Sequence, residues 1–153
     1  MKLNRRIVVG TLALSVLGAA ALTVHAQVKR PYRDGTVWNV TFVRMKPGMD
    51  TAYLNYLASD WKRNQEAAKK EGLIVSYKVM STEAHDPNDW NLILMTEVKD
   101  LTTLEATKDK ADALSQRMVG DDQKQMQGYK DRSEIREIMG IRQAREIVLE
   151  PKQ

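Results

Sequence analysis

The segment that most constrains this chain is Thr36 to Met45, TVWNVTFVRM. It is dense in Val, Thr, Trp and Phe, the residues that fit a pleated, half-buried surface. Side chains alternate along a strand. One face therefore carries Trp38, Val40, Phe42 and Arg44, and the other Val37, Asn39, Thr41 and Val43. Neither face is fully polar, which points to a sheet covered on both sides.

The rest of the chain supplies elements around this strand. Lys46-Pro47-Gly48 stops it, and a helix follows from about Met49 to Lys70. There Met49, Tyr53, Tyr56, Leu57, Trp61, Asn64 and Ala68 recur at steps of three or four. Gly72 suits the position just past the helix end. Leu73 to Met80 and Trp90 to Glu97 read as an antiparallel pair of strands around the polar turn region Ser81 to Asp89. A second helical region starts near Leu101, with Leu104, Ala111, Leu114 and Met118 on one face. Gly120-Asp121-Asp122 interrupts it, and either Asp caps a short helix running to about Tyr129. Ser133 to Leu149 has a composition that permits a helix. Its alternation around Gly140 favours a strand with a kink. The order is β-α-β-β-α-β, the split βαβ arrangement of ferredoxin-like α+β domains. Residues 27–35, with Pro31 and Asp34-Gly35, read as a flexible lead-in before a domain spanning residues 36–150.

The first 26 residues have a different character. Lys2, Arg5 and Arg6 precede an apolar run from Ile7 to Val24, and Val24-His25-Ala26 fits the small-residue rule for cleavage. This is the tripartite pattern of a secretory signal peptide, implying a periplasmic or secreted protein with no membrane association after cleavage. Arg5-Arg6 would also suit the twin-arginine route. The whole chain has 24 Lys+Arg against 20 Asp+Glu; without the segment it has 21 against 20. A net charge of +1 lacks the basic excess that nucleic-acid binding requires. There are no cysteines, so disulfides, thiol nucleophiles and Cys-ligated metals are excluded, and the core or a partner must hold the domain together.

The strand TVWNVTFVRM running into Lys46-Pro47-Gly48-Met49, and then a helix with Tyr53, Tyr56 and Trp61, resembles the dimeric α/β-barrel superfamily over roughly residues 36–150. That superfamily includes antibiotic-biosynthesis-type monooxygenases, haem-degrading enzymes and stress-response barrel proteins. The resemblance implies a four-stranded antiparallel sheet whose uncovered face pairs with that of a second copy. Burial requirements point the same way. Val37, Val43, Ile74, Met80, Ile93 and Met95 lie opposite other apolar residues on their strands, and helices in this order cover one face alone. A homodimer would cover the other.

Haem-degrading members use a strand Asn, a Trp and a helix His. Asn39 and Trp61 or Trp90 could stand for the first two, but no histidine lies between Leu101 and Arg132, which argues against haem. Cofactor-free members oxidise aromatic substrates between sheet and helices. By that resemblance Trp38, Asn39, Tyr53, Tyr56, Trp61, Tyr77 and Trp90 are candidate pocket residues, with Asn39 and Trp90 as candidate catalytic groups; His85, read from its own surroundings, is a candidate general base or a metal ligand with Glu83, Asp86 or Asp89. Aromatics on amphipathic elements more often build core. A polar Asn39 in an apolar strand is the most informative position, because a buried amide needs partners. His85 sits in EAHDPND, whose residues are those of an ordinary loop, and no metal or cofactor motif appears. The expectation is an exported homodimer that binds a small apolar or aromatic ligand without a catalytic signature. A cofactor-independent monooxygenase-like enzyme and a structural or protein-interaction module are the alternatives.

Overall fold

A computed structural model describes residues 30–151, so the expected signal segment lies outside the described residues. The chain forms β1 (Tyr32–Met45), α1 (Asp50–Tyr56), a π-helical turn (Leu57–Trp61), α2 (Lys62–Lys70), β2 (Ser76–Ser81), β3 (Leu92–Val98), α3 (Leu101–Ala106), α4 (Lys108–Met118), α5 (Asp122–Ser133) and β4 (Arg136–Leu149). The strands make one sheet in the order β2-β3-β1-β4, with every neighbour antiparallel. This is an α+β ferredoxin-like fold.

Local chemistry explains the joints. After β1, Met49 N–H donates to Lys46 O at 2.9 Å, with Pro47 second and Gly48 third in the turn. Gly48 has φ 75°, the positive value that a type II turn demands there. In the first helical run Tyr53, Leu57 and Trp61 are four residues apart. An α-helix drifts about 40° over four residues, so a run of such steps would wind off the sheet. The wider π-helical turn takes back that drift. The run ends in a Schellman arrangement: Gly72 N–H donates to Lys69 O at 3.0 Å, Leu73 N–H donates to Ala68 O at 2.9 Å, and Gly72 has φ 71°. Asp100 and Asp121 cap α3 and α5 by accepting from Thr103 N–H and Lys124 N–H.

β1 departs from expectation at its start. It begins at Tyr32, so residues 32–35 are strand rather than lead-in, paired with Leu149 to Ile147 of β4. A register shift between Asp34 and Val37 absorbs the turn-prone Asp34-Gly35. The expected kink in the last strand is present as a second shift, where Phe42 faces Gly140 but Val43 faces Ile138. β2 begins later than expected, because Leu73 closes the helix cap and is buried at that joint. α5 runs on to Ser133.

All helices lie on one side of the sheet, over Val37, Asn39, Thr41 and Val43 of β1. Val43 and Leu92 pack there with Tyr53 and Leu57, and Trp61, Ile135 and Ile138 close around them. Among the described residues, the other face, with Trp38, Val40, Phe42, Ile93, Met95 and Met80, has no helix over it. Val37 and Val43 are thus covered by the chain's own helices, 2% and 0% exposed, and Ile74 precedes β2 and lies on the helical side with Leu73; of the residues expected to need a second sheet, Met80, Ile93 and Met95 remain. Among the described residues no helix is long and apolar enough to cross a membrane.

Two outcomes follow from this packing. A Cβ on Gly72 would meet no atom within 4 Å, so Gly72→Ala carries a conformational penalty alone. Urea denaturation should show a loss of about 1–2 kcal/mol with an unchanged m-value. Burial pushes the Tyr53 phenol up, against the nearby Arg136 and Arg132 charges that pull it down. Its folded pKa exceeds its unfolded one, so its contribution is complete below about pH 10 and is lost as pH rises through the raised folded value. Denaturation at pH 8 and pH 11 should therefore show a smaller alkaline loss for Tyr53→Phe than for the wild type.

Candidate functional site

The helical side of the sheet is filled at one end and hollow at the other. Under α1 and the π-helical turn the space is solid with Tyr53, Leu57, Val43 and Leu92. Under α2 and α4 it opens into a cavity of about 540 Å³, within the range of small-molecule sites. Its floor is Asn39 of β1 with Thr96 and Val98 of β3. Asn39 and Thr96 are cross-strand partners, so their side chains stand together on this face. The walls come from Ala68, Leu73, Leu104, Ala111, Leu114 and Met118, with Asn64 and Gln65 of α2 as polar interruptions. Two of the wall residues, Ala68 and Ala111, are small and leave space between α2 and α4 unfilled.

The polar groups on the floor have few partners. Asn39 Oδ1 accepts from Gln143 Nε2 at 3.1 Å. Thr96 Oγ1 reaches Gln65 Oε1 only at 3.4 Å. Asn64 Oδ1 is buried with no hydrogen-bond partner, an omission that costs on the order of 1–3 kcal/mol. A second cleft of about 530 Å³ shares Asn64, Ser115, Met118 and Val119 with the first and continues between α1 and α5 to Tyr56, Tyr129 and Arg132. The two adjoin along those four residues, a trough in two parts on the helical layer.

The expected pocket residues divide among four places. Asn39 lines the cavity. Tyr53 is core, 1% exposed, stacked on Tyr56 with ring centroids 5.9 Å apart. Tyr56 lines the second cleft. Trp61 packs edge-on against Tyr77 at 5.3 Å over the core, and the Tyr77 hydroxyl donates to Glu66 at 2.5 Å, a bond that raises the phenol's pKa. Trp38 and Trp90 lie on the far face of the sheet: the Lys78 ammonium sits 5.0 Å from the Trp38 ring centre, and Trp90 leans on Phe42 at 4.9 Å. Neighbours on a strand face opposite ways, so Trp38 and Asn39 cannot share one cavity. Among the described residues, no aromatic side chain lines the hollow beside Asn39.

His85 is on the Ser81 to Asp89 loop, its side chain 86% exposed, with Nδ1 3.6 Å from Asp89 Oδ2. Asp89 accepts from the backbone N–H groups of His85 and Trp90, which hold its carboxyl below the usual range. It acts there as a turn-closing acceptor. Among the described residues no three His, Asp or Glu side chains come together in metal-ligating geometry.

The sequence pattern did contain a signal for the real lining. Leu104, Ala111, Leu114 and Met118 share a face, and all four reach the cavity. Gln65, Thr96 and Val98 carry no such signal, because they enter it through strand register and helix phase.

No protein-family model and no curated protein matches the sequence. Among solved structures, the crystal structure of HapK from Hahella chejuensis is similar to this chain, with a TM-score of 0.43 and 12% identity, covering 71% of this chain and 90% of that one.

Proposed function

We propose that this chain is an exported small-molecule-binding protein of the dimeric α/β-barrel type, a homodimer that takes a largely apolar ligand between sheet and helices. The observation that carries the ligand reading is the hollow over Asn39 and Thr96. A chain of this size gains stability by filling such space, yet here mainly apolar walls, with Glu105, Lys108 and Asp112 along one rim, stand over a floor and flank of under-used polar groups. That combination of apolar enclosure and a few convergent polar groups suits a ligand. Export is read from Lys2 to Ala26.

The homodimer reading rests on the far face of the sheet. Its centre is Val40, Phe42, Ile93 and Met95, and its margin holds charged groups: Arg44 paired with Glu137 at 2.5 Å, Lys78 over Trp38, and Glu97 bonded to Ser76. An apolar centre within a charged margin is the anatomy of an interface. A second identical sheet matches that centre with no further requirement on the sequence. The oxygenase alternative needs a Trp or Tyr beside Asn39, and the aromatics stand elsewhere.

Native mass spectrometry of the purified protein should report a dimer carrying a co-purified small molecule. Val40→Glu, which places a charge at the centre of the open face, should yield a monomer that keeps its far-ultraviolet circular dichroism. Ala111→Trp fills the cavity from α4 and should remove the bound molecule while the dimer persists. A monomeric wild-type protein would refute the interface, and a ligand retained by Ala111→Trp would refute the cavity.

A further inference from the structure

The trough has a second end whose chemistry differs from the hollow. Beyond Asn64 and Met118 it passes between α1 and α5 to Tyr56, Tyr129 and Arg132. The Arg132 guanidinium lies 5.0 Å from the Tyr56 ring centre and makes no ion pair among the described residues. Asp60, the acidic residue on this cleft, is already taken by Arg63 at 2.8 Å.

Behind Tyr129 stands Arg136, 7% exposed, between the Tyr129 ring at 5.4 Å and the Tyr53 ring at 5.8 Å. Its Nε has no hydrogen-bond partner, and no carboxylate faces it within ion-pair distance among the described residues. Aromatic faces satisfy these two cations in part, but their positive field is not neutralised. The wall of the hollow at its other end carries Glu105 and Asp112 against Lys108. The trough is therefore apolar in its body, mildly acidic at one rim and basic at the other end.

We infer that the ligand is an amphiphilic anion, its apolar body in the hollow over Asn39 and Thr96 and its carboxylate head against Arg132. This rests on the cavity reading above and adds the head group. Arg132 is the natural contact because a guanidinium presents paired donors that match a carboxylate. Asn64, which lines both clefts, has its Oδ1 buried without a donor, so this junction suits the body of a ligand and not its anionic head.

Isothermal titration of the purified protein, stripped of any bound molecule, with decanoate and with decanol tests this. Decanoate should bind about tenfold or more tightly than decanol. Arg132→Gln should cost decanoate about that factor and leave decanol unchanged, and Arg132→Lys should recover part of the loss. Equal binding of both probes, or decanoate binding indifferent to Arg132→Gln, would overturn the head-group assignment and leave the cavity reading standing. Failure of both probes to bind would overturn the assignment together with the cavity reading.

Discussion

The pairing of β1 with β3 on one side and β4 on the other is the constraint on which the rest depends. β1 is one of the two inner strands, beside β3, and its register decides which of its side chains face the helices. Val37 pairs with Val98, Asn39 with Thr96 and Val43 with Leu92. Shifting that register by one residue would exchange Val37, Asn39 and Val43 for Trp38, Val40 and Phe42 beneath the helices. The fully buried Val43 and Leu92 under Tyr53 make such a slip costly, because the core on that side is closed. The hollow is then a consequence of the same register, since it brings two polar cross-strand partners to the floor at the end that α2 and α4 span.

Fold and site were legible to different degrees, for physical reasons. Strand order, the helical runs, the Gly72 terminator and the kink near Gly140 follow from local periodicity and turn chemistry. The start of β1 does not. Asp34-Gly35 prefers a turn, and residues 32–35 are strand because Leu149 to Ile147, distant in sequence, pairs with Tyr32 to Asp34. Leu73 to Val75 looked like strand by composition, but the helix cap takes Leu73 first. At the site, a period of two already separates Trp38 from Asn39. Which of those faces the helices cover is a tertiary fact. Trp61 and Tyr77, candidates for a pocket by sequence, pack edge-on against each other in the helix–sheet seam. The small and medium residues of α4 were visible as one face, but whether a face meets side chains or empty space depends on how far apart two helices rest.

β1 and β4 are each 14 residues long, whereas β2 has six and β3 seven. The two long strands therefore run on past the others as a ribbon, from Tyr32–Leu149 to the register shift near Gly35. The outer edge of β4 is unpaired in the sheet, a liability in a long strand. Its side chains answer that liability in part: Glu137, Arg142, Arg145 and Glu146 distribute both signs along it, with Arg145 held by Asp34 at 2.8 Å and Glu146 accepting from Thr36 at 3.3 Å. Between these charges Ile141, Ile147 and Leu149 stay 64%, 57% and 79% exposed. Ile147 and Leu149 lie in the ribbon opposite Asp34 and Tyr32, beyond the reach of β3 and the helices, whereas Ile141 sits within the sheet opposite Thr41 on its outer strand.

The two sides of the sheet meet opposite demands with the same alternating pattern. On the helical side the chain closes its own core at one end and leaves a hollow at the other, so the stabilising contacts and the proposed binding space are separated along β1. Changes at Val43 or Leu92 act on folding, whereas changes at Asn39 or Ala111 act on the space. On the far side the apolar centre has no counterpart among the described residues. That asymmetry is what a sheet built to pair with its own copy would show, because any helix placed there would occupy the surface the copy needs. The separation also keeps the proposed ligand space away from the proposed interface: Asn39 and Trp38 are adjacent in sequence, and the thickness of one strand lies between their surroundings.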